Sequence, residues 1–209
     1  IAREGWPFLG IALGVAVITF MSALLSGLQA NLFLRTLSYQ AQIVVLPPEE
    51  VARPLRDTTG ALSAAVVQPR TQRLRSIDQW QRVRAGIAGL PSVVAITPVV
   101  SGPGLAIRGD ADKAVSITGI EPDTYLQVIA LADKMVMGTA NVSGSNIVIG
   151  TELASDLGAT LGDKMRLTTA TGAAEVLQIS GVFDFGNKGV NERNVYVPLR
   201  IAQSLLDVM

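Results

Sequence analysis

Ile147-Val148-Ile149-Gly150-Thr151-Glu152-Leu153-Ala154-Ser155-Asp156-Leu157-Gly158 is the stretch on which the fold turns. Its three β-branched residues make a short apolar strand, Asn146 to Ile149, and Gly150 leads into a helix of about two turns, Glu152 to Leu157, closed by Gly158. A strand feeding directly into a helix points to a mixed α+β domain. Beyond it, Leu161-Gly162-Asp163 turns the chain into Lys164 to Thr169. Thr171-Gly172 then turns it into Val176 to Phe183, which gives a hairpin. Gly186, Asn187 and Gly189 mark a loop, Val195 to Val197 is a strand, and Pro198 stands near the start of a last helix, Leu199 to Leu206. The chain is expected to stop inside that element.

On the N-terminal side, Ser76-Ile77-Asp78-Gln79 reads as a capping box: the Ser hydroxyl would accept from the N3 amide while Gln79 reaches back. Ile77, Trp80, Val83, Ile87 and Leu90 share one face of the predicted helix, with Trp80 in the core and the helix packed on a sheet, and Gly89 and Pro91 end it. Val93 to Val100, Gly104 to Arg108 and Ala114 to Gly119 read as strands. Gly109-Asp110-Ala111-Asp112 is a hairpin turn, because a calcium loop would need a third oxygen ligand and a following Gly. Gly102-Pro103-Gly104 is no dinucleotide loop, since a strand follows it where a helix is required. Further back, Gln42 to Leu46 is a β-branched run closed by Pro47-Pro48, which reads as a strand. Residues Glu49 to Arg75 contain Pro54, Gly60, Pro69 and scattered arginines. They read as a solvated excursion or as a basic strip near anionic headgroups.

The first forty residues belong to another solvent. Trp6 to Leu28 is uncharged and apolar, long enough to cross a ~30 Å hydrocarbon core, with Trp6 as an interfacial anchor. It is too long for the ~7–15-residue apolar core of a signal peptide, and no A-x-A site follows. Gly10 and Gly14 would let another helix approach. Arg3 and Arg35 flank the span almost symmetrically and set no orientation. Gln29 to Gln40 has no breaker, so the helix is expected to run on as a stalk.

Composition removes most chemistry. The 209 residues carry 17 Lys+Arg against 17 Asp+Glu and contain neither His nor Cys. Imidazole and thiolate ligands, Ser-His and Cys-His nucleophiles and disulfides are thereby excluded. With the charge balanced, nucleic acid is not an expected partner. No catalytic residue, cofactor or metal is expected. Glu121 with Asp123, or Asp184 with Glu192, are the carboxylate pairs an anchored enzyme would use, and each lies in turn-like sequence.

The order of pieces resembles the extracytoplasmic core domain of MacB/LolC-type (FtsX-like) ABC-transporter permeases, which include the macrolide exporter and the lipoprotein-releasing permeases. Leu90 to Val100 is similar to that family's helix-to-strand junction. Val115 to Pro122 resembles its strand end, through Gly119, Ile120 and Pro122. Gly150, Leu153, Ala154, Leu157 and Gly158, followed by Gly162 and Asp163, match its strand–helix–turn stretch. Gly181 with Phe183, and Ala202 with Gln203, continue the register. These residues specify a scaffold, not a site. Thr168 to Glu175 is a short turn where lipoprotein-releasing members can carry a hook for a carrier protein. No GxxxxGK[ST] is present.

The resemblance implies a transmembrane helix and stalk over 1–40, a first α+β lobe over 41–143, and a β-rich second lobe over 144–209 cut from a longer subunit. It further implies a permease fragment in the inner membrane with a periplasmic domain. The expected partners are a cytoplasmic ATP-binding cassette subunit, a second permease copy or paralogue, membrane lipid and a periplasmic protein. The expected role is transmission of ATP-driven motion for export or for release of lipoprotein, lipid or hydrophobic compounds. A stand-alone anchored binding module and an anchored enzyme are the alternatives.

Overall fold

A computed structural model of the chain describes residues 5–39, 41–48 and 76–208. It divides into two compact units, Ile1–Gln42 and Ile43–Met209. The expectation for residues 49–75 lies outside the described residues.

The first unit is α1, Gly5–Tyr39, a helix of 35 residues. At 1.5 Å per residue it is about 52 Å long. Gly10–Gln29 has a mean hydropathy of 2.2, and every side chain of that stretch is exposed. Such a surface, apolar all round, suits lipid and not the single apolar stripe of a surface helix. Thr19 satisfies its hydroxyl within the helix by donating to the Val15 carbonyl at 2.8 Å. The helix passes Gln29 without a break and is described as far as Tyr39.

The second unit is built on β1 (Val99–Arg108), β2 (Ala111–Ile120), β3 (Met135–Gly138), β4 (Asn146–Gly150), β5 (Lys164–Thr168), β6 (Ala174–Phe183) and β7 (Asn194–Pro198). Its helices are α2 (Trp80–Ala88), α3 (Pro122–Val128), α4 (Thr151–Asp156), α5 (Lys188–Arg193) and α6 (Leu199–Leu206), with a 3₁₀ turn at Ala132–Lys134. The strand order is β3-β6-β4-β7-β2-β1-β5, and β5 pairs back onto β6. The ladder therefore closes: β6, β4, β7, β2, β1 and β5 form a barrel, with β3 appended to β6. Closure removes the open edges that an isolated sheet would present.

Alternation fills the barrel. Ala106, Val115, Ile117, Ile147, Ile149, Met165, Leu167, Leu177, Ile179, Val195 and Val197 are buried in one cluster. Leu153, Ala154 and Leu157 of the α4 segment join it, as do Ala202, Leu205 and Leu206 of α6. The residues between them point outward. On one side, Val148 and Tyr196 are covered by a second layer that includes Tyr125, Phe183 and Phe185, all buried. Ring centroids there lie 5.7 Å apart for Tyr125–Tyr196, 5.3 Å for Phe183–Tyr196 and 4.8 Å for Phe183–Phe185.

The mixed helix-and-sheet class holds, and so does the strand–helix unit at its centre. The division expected at 143/144 falls between β3 and β4. Strands from both sides of it share one barrel: β2 pairs parallel with β7, and β1 pairs antiparallel with β5. The described parts of the two stretches thus bury one core together.

Three local readings are corrected. Gln79 adopts φ 52°, ψ 40° and caps α2 without a side-chain bond, so the helix begins at Trp80 and the capping box at Ser76 does not form. A left-handed residue cannot lie inside a right-handed helix. Gln42 to Leu46 joins no ladder among the described residues, and Ile43 is 83% exposed. β-branched sequence makes a strand only where a partner supplies hydrogen bonds. The two strands expected at Val93 to Val100 and Gly104 to Arg108 are one, β1, which runs unbroken from Val99 to Arg108 through Gly102-Pro103-Gly104, while residues 93–98 join no ladder among the described residues. Pro103 is tolerated because β5 pairs with β1 only over Leu105–Ile107 and leaves that end of β1 with a free edge.

No residue of α2 is buried, and Trp80 is half-exposed instead of belonging to the core. Trp80→Ala is therefore expected to cost about 1 kcal/mol, below the ~3–5 kcal/mol of a core tryptophan. Urea unfolding of the variant checks this.

Candidate functional site

The glycines singled out in the sequence sit where elements meet. A Cβ on Gly119 would strike the Ala202 methyl and the Leu199 backbone, so β2 and α6 touch there. One on Gly150 would strike the backbone of Asn191, and one on Gly181 the Thr139 backbone and Met135. Gly158 and Gly162 adopt φ +58° and +85°, a region that favours glycine. Ile120 is buried at the end of β2, and Pro122 opens α3. Gln203 receives the Asp207 and Val208 amides on its carbonyl and so ends α6, which closes at Leu206 before a left-handed Asp207.

Asp163 is the charged member of the set, and it belongs to a knot. Its Oδ2 accepts from the Thr160 amide at 2.8 Å and the Thr160 hydroxyl at 3.0 Å. Arg108 donates to the same oxygen at 2.8 Å, and to the carbonyls of Leu157 and Gly158 at 3.0 and 2.6 Å. The Thr160 bonds, with Arg108 adding to them, hold the Asp163 carboxyl below its ordinary value. Arg108 thereby answers both the C-terminal carbonyls of the α4 segment and the turn into β5.

Other charges are similarly committed. Lys113 bridges Asp156 at 2.9 Å and Glu192 at 3.3 Å, and the bonds to these two carboxylates raise its pKa. Arg84 pairs with Glu121 at 3.0 Å. Asn191, buried in α5, donates to Asp184 at 2.6 Å and accepts from the Phe185 amide at 3.0 Å. Asp184 takes the Gly186 amide as well, which with Asn191 lowers its pKa. Glu121 and Asp184, the lead members of the two carboxylate pairs considered for acid–base work, are thus bound to groups other than their proposed partners. Glu192 is bound to Lys113, and Asp123 lies exposed in the first turn of α3.

Asp110 sits in the tight β1–β2 turn and Asp112 opposite Ile107 within the hairpin. Among the described residues no group of three or more Asp or Glu side chains could hold a metal ion. Shallow indentations mark the surface among the described residues. One, of about 310 Å³, is lined by Ile107, Arg108, Gly109, Lys164, Arg166 and Val176. Another, of about 360 Å³, lies among Met137, Ala154, Ala159, Thr160 and Val182. Arg108 and Asn191 were not singled out in the sequence, since neither belongs to a local pattern.

The family model for the MacB-like periplasmic core domain matches residues 8–209. The chain belongs to this family. Among curated proteins it is similar to the lipoprotein-releasing system transmembrane protein LolC of Xylella fastidiosa, strains Temecula1 and 9a5c. Each is 25% identical over 210 residues, covering 95% of this chain and 45% of the relative. The chain spans about half the length of these relatives. Among solved structures, the extracellular domain of the noncanonical ABC-type transporter YknZ from Gram-positive bacteria is 19% identical, with a TM-score of 0.45 over 57% of this chain and 62% of that one. The periplasmic region of MacB from Actinobacillus actinomycetemcomitans is 18% identical, with a TM-score of 0.40 over 55% and 52%. The core-domain family thus accounts for the mixed helix-and-sheet fold and for the apolar helix ahead of it.

Proposed function

We propose that this chain is part of the permease subunit of an ABC transporter in the cell inner membrane, in which α1 carries ATP-driven motion to a periplasmic core domain. The observation that carries the reading is the continuity of α1. One helix, unbroken from Gly5 to Tyr39, contains both the apolar window that ends at Gln29 and ten further residues. A stiff helix transmits displacement along its axis, whereas a flexible linker would absorb it. Family membership supports the assignment to a permease.

ATP hydrolysis then belongs to a separate cytoplasmic subunit, and the permease works as a pair with a second copy or a paralogue. The cargo class is a lipoprotein, a lipid or another hydrophobic compound, exported or released at the periplasmic face. Membrane lipid surrounds α1, and a periplasmic protein is the remaining partner. Purification of the uncut subunit from the membrane tests this: an ATP-binding cassette protein should co-purify stoichiometrically, and its hydrolysis should respond to the permease. Recovery of the intact subunit alone, in a detergent that preserves related complexes, would leave a stand-alone anchored binding module.

A further inference from the structure

We infer that the barrel opens first along the seam between β1 and β5, and that Arg108 is the latch that holds this seam shut. The six ladders differ in how they are secured. β1 and β2 pair over their full lengths, and β2–β7, β4–β6 and β5–β6 each span a strand of five residues. β4–β7 is short, pairing at Val148 and Ile149. It is gripped from inside by Ile149 and Val195 and from outside by the aromatic layer over Val148 and Tyr196.

The β1–β5 seam is gripped from inside in the same way, by Ala106 and Leu167, but no aromatic layer covers its outer side. It pairs only over Leu105–Ile107 and Arg166–Thr168. Its outward side chains are half-buried or exposed, and the 310 Å³ indentation runs along it. At one end the seam is closed by contact, since the missing Gly104 side chain leaves 3.2 Å between a Cβ position and the Thr168 carbonyl. At the other end nothing but Arg108 crosses among the described hydrogen bonds: it leaves the last residue of β1 and reaches Leu157, Gly158 and Asp163, the residue before β5. One planar guanidinium that bonds Asp163, just before β5, and anchors itself on the Leu157 and Gly158 carbonyls has the geometry of a fastener at the end of this ladder. Local opening is governed by such differences in cover and hydrogen bonding, not by global stability. Opening here would free the β1 side of the β1–β2 hairpin while β2 stays paired with β7.

The latch belongs to the barrel and does not rest on the transport reading. It is tested by amide hydrogen exchange of the full chain in lipid nanodiscs. Arg108→Ala should speed exchange at least tenfold in peptides covering Leu105–Ile107 and Arg166–Thr168, and leave β4 and β7 unchanged. Arg108→Lys, which keeps the charge and loses the fork, should fall between. The chain has no cysteine, so Leu105→Cys with Thr168→Cys, directly opposite across the seam, places a single disulfide there. Oxidised, that pair should return the Arg108→Ala seam to slow exchange, and reduction should release it. Should Arg108→Ala not fold, Asp163→Asn reports the same seam with a smaller rise. A uniform rise over all strands, no rise at all, or fast seam exchange that survives the crosslink would each overturn the inference.

Discussion

Phe183→Ala should lower the stability of the second unit by about 3–5 kcal/mol, the range for deleting a fully buried aromatic ring. Phe183 is 0% exposed and ends β6, opposite Met135 of β3 and Gly150 of β4. Its ring packs on Phe185 and edge-on against Tyr196, so its removal opens a cavity in the layer that seals the outer side of the β4–β7 ladder. Offset and edge-on rings gain beyond the area they bury, which adds to the loss. Val176→Ala is the control. Val176 lies on the opposite outer face at 53% exposure, and its truncation should stay within about 0.5 kcal/mol. Urea unfolding followed by Trp80 and tyrosine fluorescence measures both. A Phe183→Ala cost no larger than that of Val176→Ala would mean that the aromatic layer is not a core.

That layer also shows where the sequence was readable and where it was not. The Ile147–Gly158 strand and helix, the hairpin through Thr171-Gly172 and the final helix all appear where local pattern predicts them. Each is signalled by neighbours in the chain: alternation of period two, a glycine with positive φ at 172, and a proline ahead of Leu199. Closure of the barrel has no such signal. It depends on β2 meeting β7 in parallel and β1 meeting β5, pairings between residues far apart in sequence whose registers no local pattern records. The helix α3, strand β3 and helix α5 were not anticipated, being four to seven residues long and too short to show a period.

At the candidate site the same contrast holds. Gly119, Gly150 and Gly181 stand out as glycines, yet what each makes room for is supplied by Ala202, Asn191 and Thr139 from other elements. Arg108 was invisible because its acceptors lie 49, 50 and 55 residues away. The Ser76 capping box failed in the opposite sense: the local signal was present, and the left-handed conformation at Gln79 overrode it.

The largest functional effect is expected from α1. Asn31 lies in the helix two residues beyond the apolar window that ends at Gln29. A proline there removes one backbone hydrogen bond and clashes with the carbonyl four residues earlier, kinking the helix at a cost of ~3 kcal/mol or more. The carbonyl concerned is that of Gly27, so the kink falls in the last turn of the window and leaves the apolar helix before it intact, while the barrel has a core of its own. Anchor and domain should therefore both persist while the rod between them is bent. A transporter that works through a stiff lead would then hydrolyse ATP without delivering its stroke.

The most direct measurement is cargo export or release by the assembled transporter carrying Asn31→Pro, read beside membrane level and basal ATP hydrolysis. Insertion and basal hydrolysis should remain near those of the unmodified protein, and export should be lost. Normal export at normal protein levels would contradict the rod, and would leave the domain as a passive docking module.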